Sequence, residues 1–401
     1  MLRLPIFALL LLLAACDDTD PATTDAVDRV TETVATAAEF KAKPIIVPEQ
    51  PVPTLTVGAA APDFNLIGVD GEYHTLGEYA DAEVLVVVFT CNHCPTAQAY
   101  EERLKAFTAE YEPKGVQVVA ISPNSPLGVM YNELGYSDLD DTYEDMVTRH
   151  TDADFNFPYL YDGDDHAASL QYGPAATPHT YVFDKARKLR YVGHMDKVER
   201  PGTANAEVLR AAVDAVLAGG EVAEPKTKTF GCSTKWAWKA DYKTKDEAKW
   251  KAQPVTMNAI DVAGVQQLLK NDDSGKLRII NLWATWCGPC VAEYPDFVVL
   301  QRMYGGRDFE FVSISMDKPE RGAQALKFLE KNHSALTNYH FTEDEKKYDM
   351  FDAIDPDWNG AIPFTILVAP GGEVIWKHQA EVDFLELRRV IVGHEMMGRF
   401  F

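Results

Sequence analysis

The chain has 401 residues, of which 46% are hydrophobic and 11% aromatic, enough for two ordinary cores and a linker. Its formal net charge of −23 at pH 7 argues against binding to nucleic acid and against electrostatic attachment to anionic lipid. Four of its six cysteines form two Cys-x-x-Cys pairs, so the sequence first indicates chemistry at sulfur.

The amino-terminal residues indicate export. Residues 1–15 are apolar over a stretch too short to span a bilayer, which is typical of a secretory signal. The ending Leu13-Ala14-Ala15-Cys16 resembles a bacterial lipobox, so we expect Cys16 to carry lipid; the alternative is an ordinary signal cleaved after Ala15. Asp17 and Asp18 resemble signals that retain lipoproteins at the inner membrane. Residues 16–54, rich in Thr, Ala, Asp and Pro, are predicted to be a flexible tether.

A first domain is predicted over residues 55–222. An apolar run at 84–89 predicts a buried strand, the motif Cys91-Asn92-His93-Cys94 follows it, and residues 97–111 have helical periodicity. Far downstream, Thr177-Pro178 precedes another β-rich run. A dithiol motif therefore stands between a strand and a helix.

The same plan recurs in a second predicted domain, residues 254–401. A strand is predicted at 277–283, followed by Trp286-Cys287-Gly288-Pro289-Cys290 and by helical periodicity at 291–303. Ile362-Pro363 again precedes a β-rich run. The chain is therefore a duplicated architecture with a dithiol in each half.

Further local features complete the prediction. We expect strands at 116–122 and 306–316, and helices at 142–150 and 321–332. The acidic runs 138–141 and 162–165 are interpreted as solvated turns, because they lack the carboxylate spacing of a calcium loop.

The position of each motif explains its chemistry. A thiolate attacks disulfides, and a cysteine at a helix N-terminus can have its pKa lowered from about 8.5 to roughly 3.5–7.5. We assign Cys91 and Cys287 as attacking thiols, and Cys94 and Cys290 as resolving thiols. The alternative for either motif is half of a structural zinc site, which His93 makes more reasonable for the first motif.

The second motif carries a family resemblance. Trp286 to Cys290, with Pro363 ahead of a strand, resembles thioredoxin, and the surrounding residues, including Glu293, are similar to the TlpA/ResA-like anchored reductases over about 254–401. In that family a glutamate three residues after the second cysteine lies near the disulfide. The resemblance therefore implies proton transfer by Glu293; the alternative is an ordinary acid of the first helical turn.

The first domain resembles another branch of the same superfamily. Its start, Gly58-Ala59-Ala60-Ala61-Pro62-Asp63-Phe64, and its Cys-Asn-His-Cys centre are similar to the redoxin, or peroxiredoxin-like, branch. A peroxidatic cysteine would require a threonine and a proline upstream, where Cys91 has Val88 and Val84. We therefore expect no peroxidase activity.

The resemblance also implies docking elements. In the thioredoxin superfamily a cis-proline packs beside the disulfide, and the backbone preceding it pairs with substrate. Carried over, the substrate-docking residues are Thr177, Pro178, Ile362 and Pro363, with Trp286 beside the second motif. The alternative is that either proline is an ordinary trans residue at a strand start.

Cys232 is the sixth cysteine and belongs to neither motif; it lies within a connector at 223–253. A Gly-Cys-Ser-x-Lys-Trp tail like that of residues 231–236 follows the domain in Cys-Asn-His-Cys relatives, so we assign residues 223–238 to the first unit. We expect Cys232 to fold back near Cys91 and Cys94 as a third thiol, either a resolving partner or a metal ligand. The alternative is a buried unreactive cysteine.

The predicted fold is α/β: two tandem thioredoxin-like domains, each a central mixed sheet flanked by helices. The predicted function is exported, periplasm-facing and membrane-anchored thiol–disulfide exchange that reduces protein disulfides without a cofactor beyond the two redox disulfides. The resemblance implies protein thiols as partners, with cytochrome c apoproteins and a membrane electron donor as candidates. We expect the Cys91–Cys94 disulfide to be the more oxidising one, because a histidine lies between its cysteines.

Two alternatives stay open. The first domain could be a copper- or zinc-binding module that uses Cys91, His93, Cys94 and Cys232 and is kept reduced by the second domain. One domain could instead be a silent docking scaffold, although both have intact cysteine pairs.

Overall fold

Two strands with almost no exposed side chain, Val84–Phe89 and Leu277–Trp283, form the centres of two separate sheets in the computed structural model, which describes residues 40–398. Strands that are buried along their whole length are typical of sheets covered on both faces; Arg278 and Asn281 are the two polar residues of the second strand. Cys16, the predicted signal and most of the predicted tether lie outside the described residues.

The first unit is a seven-stranded mixed sheet with helices around it. Its strand order is β2-β1-β5-β4-β3-β7-β8. In chain order the elements are β1 (Asn65–Gly68), β2 (Tyr73–Thr75), β3 (Val84–Phe89), α1 (Pro95–Tyr111), β4 (Val116–Ser122), α2 (Tyr143–Asp152), β5 (Tyr159–Tyr161), α3 (Ser169–Tyr172), β6 (Ala176–Thr177), β7 (His179–Phe183), β8 (Leu189–Gly193), α4 (Glu207–Leu217), β9 (Cys232–Ser233) and α5 (Ala240–Lys251).

The second unit is a six-stranded sheet of the same central plan. Its strand order is β10-β13-β12-β11-β14-β15. The elements are β10 (Asn258–Ile260), α6 (Val262–Lys270), β11 (Leu277–Trp283), α7 (Gly288–Tyr304), β12 (Phe309–Ser315), α8 (Gly322–Lys331), β13 (Thr337–Phe341), α9 (Lys347–Ile354), β14 (Phe364–Val368), β15 (Val374–Gln379) and α10 (Phe384–Gly393).

Pairing at the centre of the two sheets is equivalent. Strand β3 is parallel to β4 and antiparallel to β7, and β11 is parallel to β12 and antiparallel to β14. Apolar clusters pack on both faces of each sheet. The predicted fold, two tandem thioredoxin-like α/β domains, is confirmed.

The helices that follow the motifs begin at different cysteines. Helix α1 begins after Cys94, with Pro95 at its first position, where the missing N–H removes no hydrogen bond. Helix α7 begins after Cys287, whose sulfur accepts a hydrogen bond from the Cys290 N–H at 3.3 Å. The first helix therefore begins after the second cysteine of its motif, whereas the second begins after the first cysteine.

The predicted connector contains a helix that the sequence analysis did not predict. Helix α5 is polar and carries a Glu247–Lys251 ion pair one turn apart. Trp250 packs on the second core and donates from Nε1 to the carbonyl of His333 at 2.9 Å. Trp250, together with ion pairs from Arg302 to Asp246 and Glu247, thus holds a helix with little apolar surface against the second unit.

The interpretation of both acidic runs as solvated turns is wrong at one residue in each. Asp141 and Asp162 are buried. Asp162 accepts from the N–H groups of Ala168 and Ser169 at the start of α3, and Asp141 lies beside the first motif. Hydrogen bonds to backbone N–H groups offset the cost of removing these carboxylates from water.

An insertion of the first unit contacts the second. Leu134 is buried in the second core, and the Tyr304 hydroxyl donates to the carbonyl of Ser137 at 2.7 Å. Arg307 donates to the carbonyl of Gly135 at 2.8 Å. This contact lies at the carboxyl end of α7, about 25 Å along the helix from Cys287 at 1.5 Å per residue. No helix within residues 40–398 has both the length and the apolar character needed to cross a bilayer.

Two candidate dithiol centres

The second centre is a disulfide at the start of α7. Cys287 and Cys290 are bonded, with their Cα atoms 5.3 Å apart. The Cys287 sulfur lies 3.6 Å from the carbonyl oxygen of Ile362, whose bond to Pro363 is cis. Trp286 is 60% exposed beside it. The disulfide therefore follows a residue with an exposed aromatic ring and lies next to a strand-start carbonyl.

Glu293 is buried on the same helix. Its side chain is 3% exposed, and Oε2 accepts from the Val382 N–H at 3.0 Å. The Asn281 amide lies 3.5 Å from Oε1. Burial raises the pKa of Glu293 to about 7, although these two hydrogen bonds act to lower it. The group can therefore hold or release a proton near neutral pH.

The first centre is covered from solvent. Cys91 and Cys94 are free thiols, 2% and 0% exposed. The Cys91 sulfur lies 3.0 Å from the Thr177 hydroxyl, and the Cys94 sulfur lies 3.1 Å from the Thr177 carbonyl. The Thr177-Pro178 bond is cis. Both predicted docking prolines thus lie next to a dithiol, whereas their docking role stays a prediction.

A buried ion pair holds the first motif. His93 Nδ1 lies 2.6 Å from Asp141 Oδ2, and the other carboxylate oxygen accepts from the N–H groups of Asn92 and His93. Burial acts against both charges, but their mutual attraction keeps the pKa of His93 raised and that of Asp141 lowered. Asn124 donates to the same carboxylate at 2.7 Å. Asp141 therefore fixes the loop that carries the motif.

The structure places Cys232 against Cys94. Its backbone N–H donates to the Cys94 sulfur at 3.3 Å, and its side chain packs on the cluster of Cys91, Cys94 and Ala97. Burial raises the pKa of Cys94, but hydrogen bonds from Cys232 and Cys91 and the charge of His93 outweigh it, so the pKa is held well below its usual range. For Cys91, burial is the largest of the effects that raise the pKa. These shifts favour the anion at Cys94, whereas the sequence assigns attack to Cys91.

Sequence reasoning missed Asp141 as a site residue. The second ring nitrogen of His93, Nε2, is buried and has no hydrogen-bond partner among residues 40–398, and the Cys91 sulfur lies 3.6 Å from Nδ1. The ligand atoms of Cys91, His93 and Asp141 lie within 4.8 Å of one another. The carboxylate that pairs with His93 comes from the run 138–141, three aspartates and one leucine, which gave no signal beyond its charge.

The comparisons identify the family. The AhpC/TSA family model matches residues 57–192 and again residues 249–377, which together exceed half of the chain. The chain belongs to the AhpC/TSA family, and its two matches correspond to the two units described above.

Individual relatives are named for disulfide chemistry. The thiol-disulfide oxidoreductase ResA of Oceanobacillus iheyensis is 31% identical over 104 residues, 26% of this chain and 50% of ResA. The thiol:disulfide interchange protein HelX of Rhodobacter capsulatus is 28% identical over 103 residues, 25% of this chain and 51% of HelX. The chain therefore spans about half the length of these two relatives.

Among solved structures, a hypothetical protein from Sinorhizobium meliloti 1021 is 34% identical, with a TM-score of 0.41, covering 46% of this chain and 96% of that protein. An uncharacterised protein from Geobacillus kaustophilus is 35% identical, with a TM-score of 0.40, covering 45% and 92%. Together with the family match, the named relatives identify the chain as a thioredoxin-like thiol–disulfide oxidoreductase.

Proposed function

We propose that the chain reduces disulfides of exported proteins, with Cys287 and Cys290 as the dithiol that meets the substrate. The single observation that carries this proposal is the disulfide at the start of α7, next to the Ile362 carbonyl and the exposed Trp286. A helix N-terminus favours the thiolate that starts the exchange.

The exchange follows from the position of the sulfurs. In the reduced centre, the Cys287 thiolate attacks a substrate disulfide and forms a mixed disulfide, while one substrate thiolate leaves and takes a proton. Cys290 then attacks the Cys287 sulfur, so the second substrate thiol leaves and the Cys287–Cys290 disulfide forms. Two electrons pass from the dithiol to the substrate.

Glu293 fits the transfer of a proton in this exchange. Its pKa of about 7 allows it to take a proton from the resolving thiol and return it to water. An ordinary helix acid would be exposed and ionised, whereas Glu293 is buried. This supports the proton-transfer role over the alternative.

The test uses insulin as a probe protein with a reductant that recharges the centre. In a background of Cys91→Ser and Cys94→Ser, Cys287→Ser should abolish the reduction of insulin, and Cys290→Ser should trap a mixed disulfide at Cys287. Ser233→Ala, which changes a residue outside the second unit, is the control. Full activity of Cys287→Ser would contradict the proposal for this centre.

The first centre is proposed as a second dithiol, Cys91 with Cys94, that is more oxidising than the second. A redox titration with glutathione, alkylation and peptide mass spectrometry measures both potentials in one chain. Equal or inverted potentials would contradict the order. Because the contact between the units lies at the far end of α7 from Cys287, we propose that each centre exchanges with partners of its own.

Metal binding at the first centre is the second candidate function. It is favoured by the close approach of Cys91, His93 and Asp141, with Cys94 and Cys232 adjacent as soft thiolate ligands. Against it, His93 Nδ1 is already paired with Asp141 at 2.6 Å, so a copper or zinc ion bound at Nδ1 would have to break this ion pair. Stoichiometric metal in the purified chain that is lost in Cys232→Ser would favour this candidate.

Export, the lipid at Cys16 and the partners complete the proposal. A lipid anchor at the end of a tether would hold both units near a membrane electron donor and near cytochrome c apoproteins. The net charge of −23 disfavours nucleic acid as a partner. Incorporation of labelled fatty acid into the chain but not into Cys16→Ala tests the anchor. Reduction of a disulfide-bonded haem-binding peptide tests the substrate.

A further inference from the structure

The backbone beside the first dithiol is already paired with another part of the chain. Strand β9 runs antiparallel to β6, with Cys232 opposite Thr177 and Ser233 opposite Ala176. Thr177 directly precedes Pro178 and contacts both sulfurs of the motif. The strand edge at which an external chain would dock is therefore occupied by the segment that carries Cys232.

This segment is built to fit closely. A Cβ atom at Gly231 would lie 2.1 Å from the Thr177 carbonyl oxygen, and Gly231 has a φ of +128°. On one side the Thr229 hydroxyl donates to the Pro178 carbonyl at 2.8 Å; on the other the Thr234 hydroxyl donates to the Pro174 carbonyl at 2.6 Å. Hydrogen bonds on both sides thus fix Cys232 over the motif, and only glycine permits the approach.

The three sulfurs form a short series from the interior outward. Cys94 is fully buried and has hydrogen-bonding contacts with both other thiols, Cys91 on one side and Cys232 on the other. Cys91 is 2% exposed, whereas Cys232 is partly exposed. An external disulfide therefore reaches Cys232 before either cysteine of the motif.

We propose that Cys232 is a third redox-active cysteine, which exchanges with external disulfides and transfers the oxidation to Cys94 and then to Cys91. This inference rests on the proposed dithiol function of the first centre and adds the route by which its covered sulfurs are reached. The substrate class is a disulfide accessible at a surface, on a protein or on a small thiol compound.

Each step conserves atoms and electrons. Cys232 passes its proton to the Cys94 thiolate and attacks the external disulfide, forming a mixed disulfide and releasing one external thiolate, which takes that proton back from Cys94. Cys94 then attacks the Cys232 sulfur, forming the Cys94–Cys232 disulfide and releasing the second external thiolate, which takes a proton from water. Cys91 attacks the Cys94 sulfur, so the Cys91–Cys94 disulfide forms and Cys232 returns to the thiol. The external disulfide is reduced by two electrons and the dithiol of the motif is oxidised.

The test is the oxidation of the reduced full-length chain by glutathione disulfide, in a background of Cys287→Ser and Cys290→Ser. Samples are quenched in acid, alkylated and mapped by peptide mass spectrometry. In Cys94→Ser, glutathione should accumulate on Cys232; in Cys91→Ser, the Cys94–Cys232 disulfide should accumulate. In Cys232→Ser, formation of the Cys91–Cys94 disulfide should slow by at least about tenfold, because its sulfurs are covered.

Two readouts keep the result decisive if a variant folds poorly. In the background chain with its first centre intact, the Cys94–Cys232 disulfide must appear before the Cys91–Cys94 disulfide. The tryptophan fluorescence spectrum of Cys232→Ser must match that of the background chain, which shows that slower disulfide formation comes from the missing thiol and not from misfolding.

The outcomes separate the two proposals. Oxidation of Cys232→Ser at the rate of the background chain, or glutathione on Cys91 in Cys94→Ser, overturns the role of Cys232 while the dithiol function stands. If glutathione disulfide never links Cys91 to Cys94 in the background chain, the dithiol function of the first centre fails, and the role of Cys232 fails with it.

Discussion

The buried carboxyl of Glu293 makes the stability of the chain depend on pH in a direction opposite to that of most acids. In the folded chain burial raises its pKa from 4.5 to about 7, so the folded state holds this proton more tightly than the unfolded state. The stabilisation is therefore complete below pH 4.5 and is lost as the pH rises through about 7. The full shift corresponds to about 3 kcal/mol as an upper bound, since solvent screening reduces it.

Glu293→Gln removes the ionisation. The stability of the variant relative to the wild-type chain should rise between pH 4.5 and 8 by up to about 3 kcal/mol. The free energy of unfolding of the variant should also be lower by a constant amount. Both carboxylate oxygens of Glu293 accept hydrogen bonds, from Val382 and Asn281, and the amide nitrogen of glutamine cannot accept one. A mispaired buried group of this kind costs about 1–3 kcal/mol at every pH.

The assay is urea unfolding of the oxidised full-length chain at several pH values, followed by tryptophan fluorescence. Keeping the Cys287–Cys290 disulfide oxidised prevents these two cysteines from titrating. Other buried acids titrate in both proteins and cancel in the difference. Glu320→Gln, at an exposed glutamate of the same unit, is the matched control. Parallel pH profiles for Glu293→Gln and the wild-type chain would refute the reasoning.

Three further predictions concern the two centres. Asp141→Asn should destabilise the first unit by about 3 kcal/mol, because it leaves the His93 charge buried without its partner, and it should speed the alkylation of Cys91. Gly231→Ala should displace the Cys232 strand and increase alkylation of both Cys91 and Cys232, measured by mass spectrometry. Trp286→Ala should slow the reduction of insulin several-fold while changing the free energy of unfolding by no more than about 0.5 kcal/mol.

Each of these variants has a matched control. Asp81→Asn changes an exposed aspartate and should alter neither stability nor alkylation. Gly219→Ala has the cost of a positive φ, +68°, but its Cβ meets no atom within 4 Å, so an equal effect on Cys232 would contradict the argument from close approach. Tyr348→Ala removes another exposed aromatic side chain of the second unit and should leave insulin reduction unchanged.

The sequence predicted the elements that local patterns specify. The strand at 84–89 is apolar throughout and the strand at 277–283 is apolar except at Arg278 and Asn281. The helices after the motifs begin at Pro95 and directly after Cys287, residues that suit a first turn. The helix predicted at 142–150 is found as Tyr143–Asp152, because Thr142 caps it by accepting from the Asp145 N–H. These features depend on residues within a few positions of one another, which a single sequence displays.

The tertiary structure decided what depends on distant residues. Asp141 and Asp162 have the appearance of solvated acids in the sequence. Backbone N–H groups folded around both of them, with His93 as a further partner of Asp141, account for their burial. Helix α5 has too little apolar surface to be predicted, and Trp250 holds it through a contact 83 residues away.

The sequence by itself determined two dithiols, each between a buried strand and a helix, and the resemblance placed Cys232 near the first of them. Only the tertiary structure decided that Cys232 lies against Cys94 and that its strand occupies the edge beside Thr177. The physical reason is that this strand pairing joins Thr177 to Cys232, which lie 55 residues apart in the chain. Hydrophobic pattern and motif spacing specify the elements of a chain, but they do not specify which strand edge a distant segment fills.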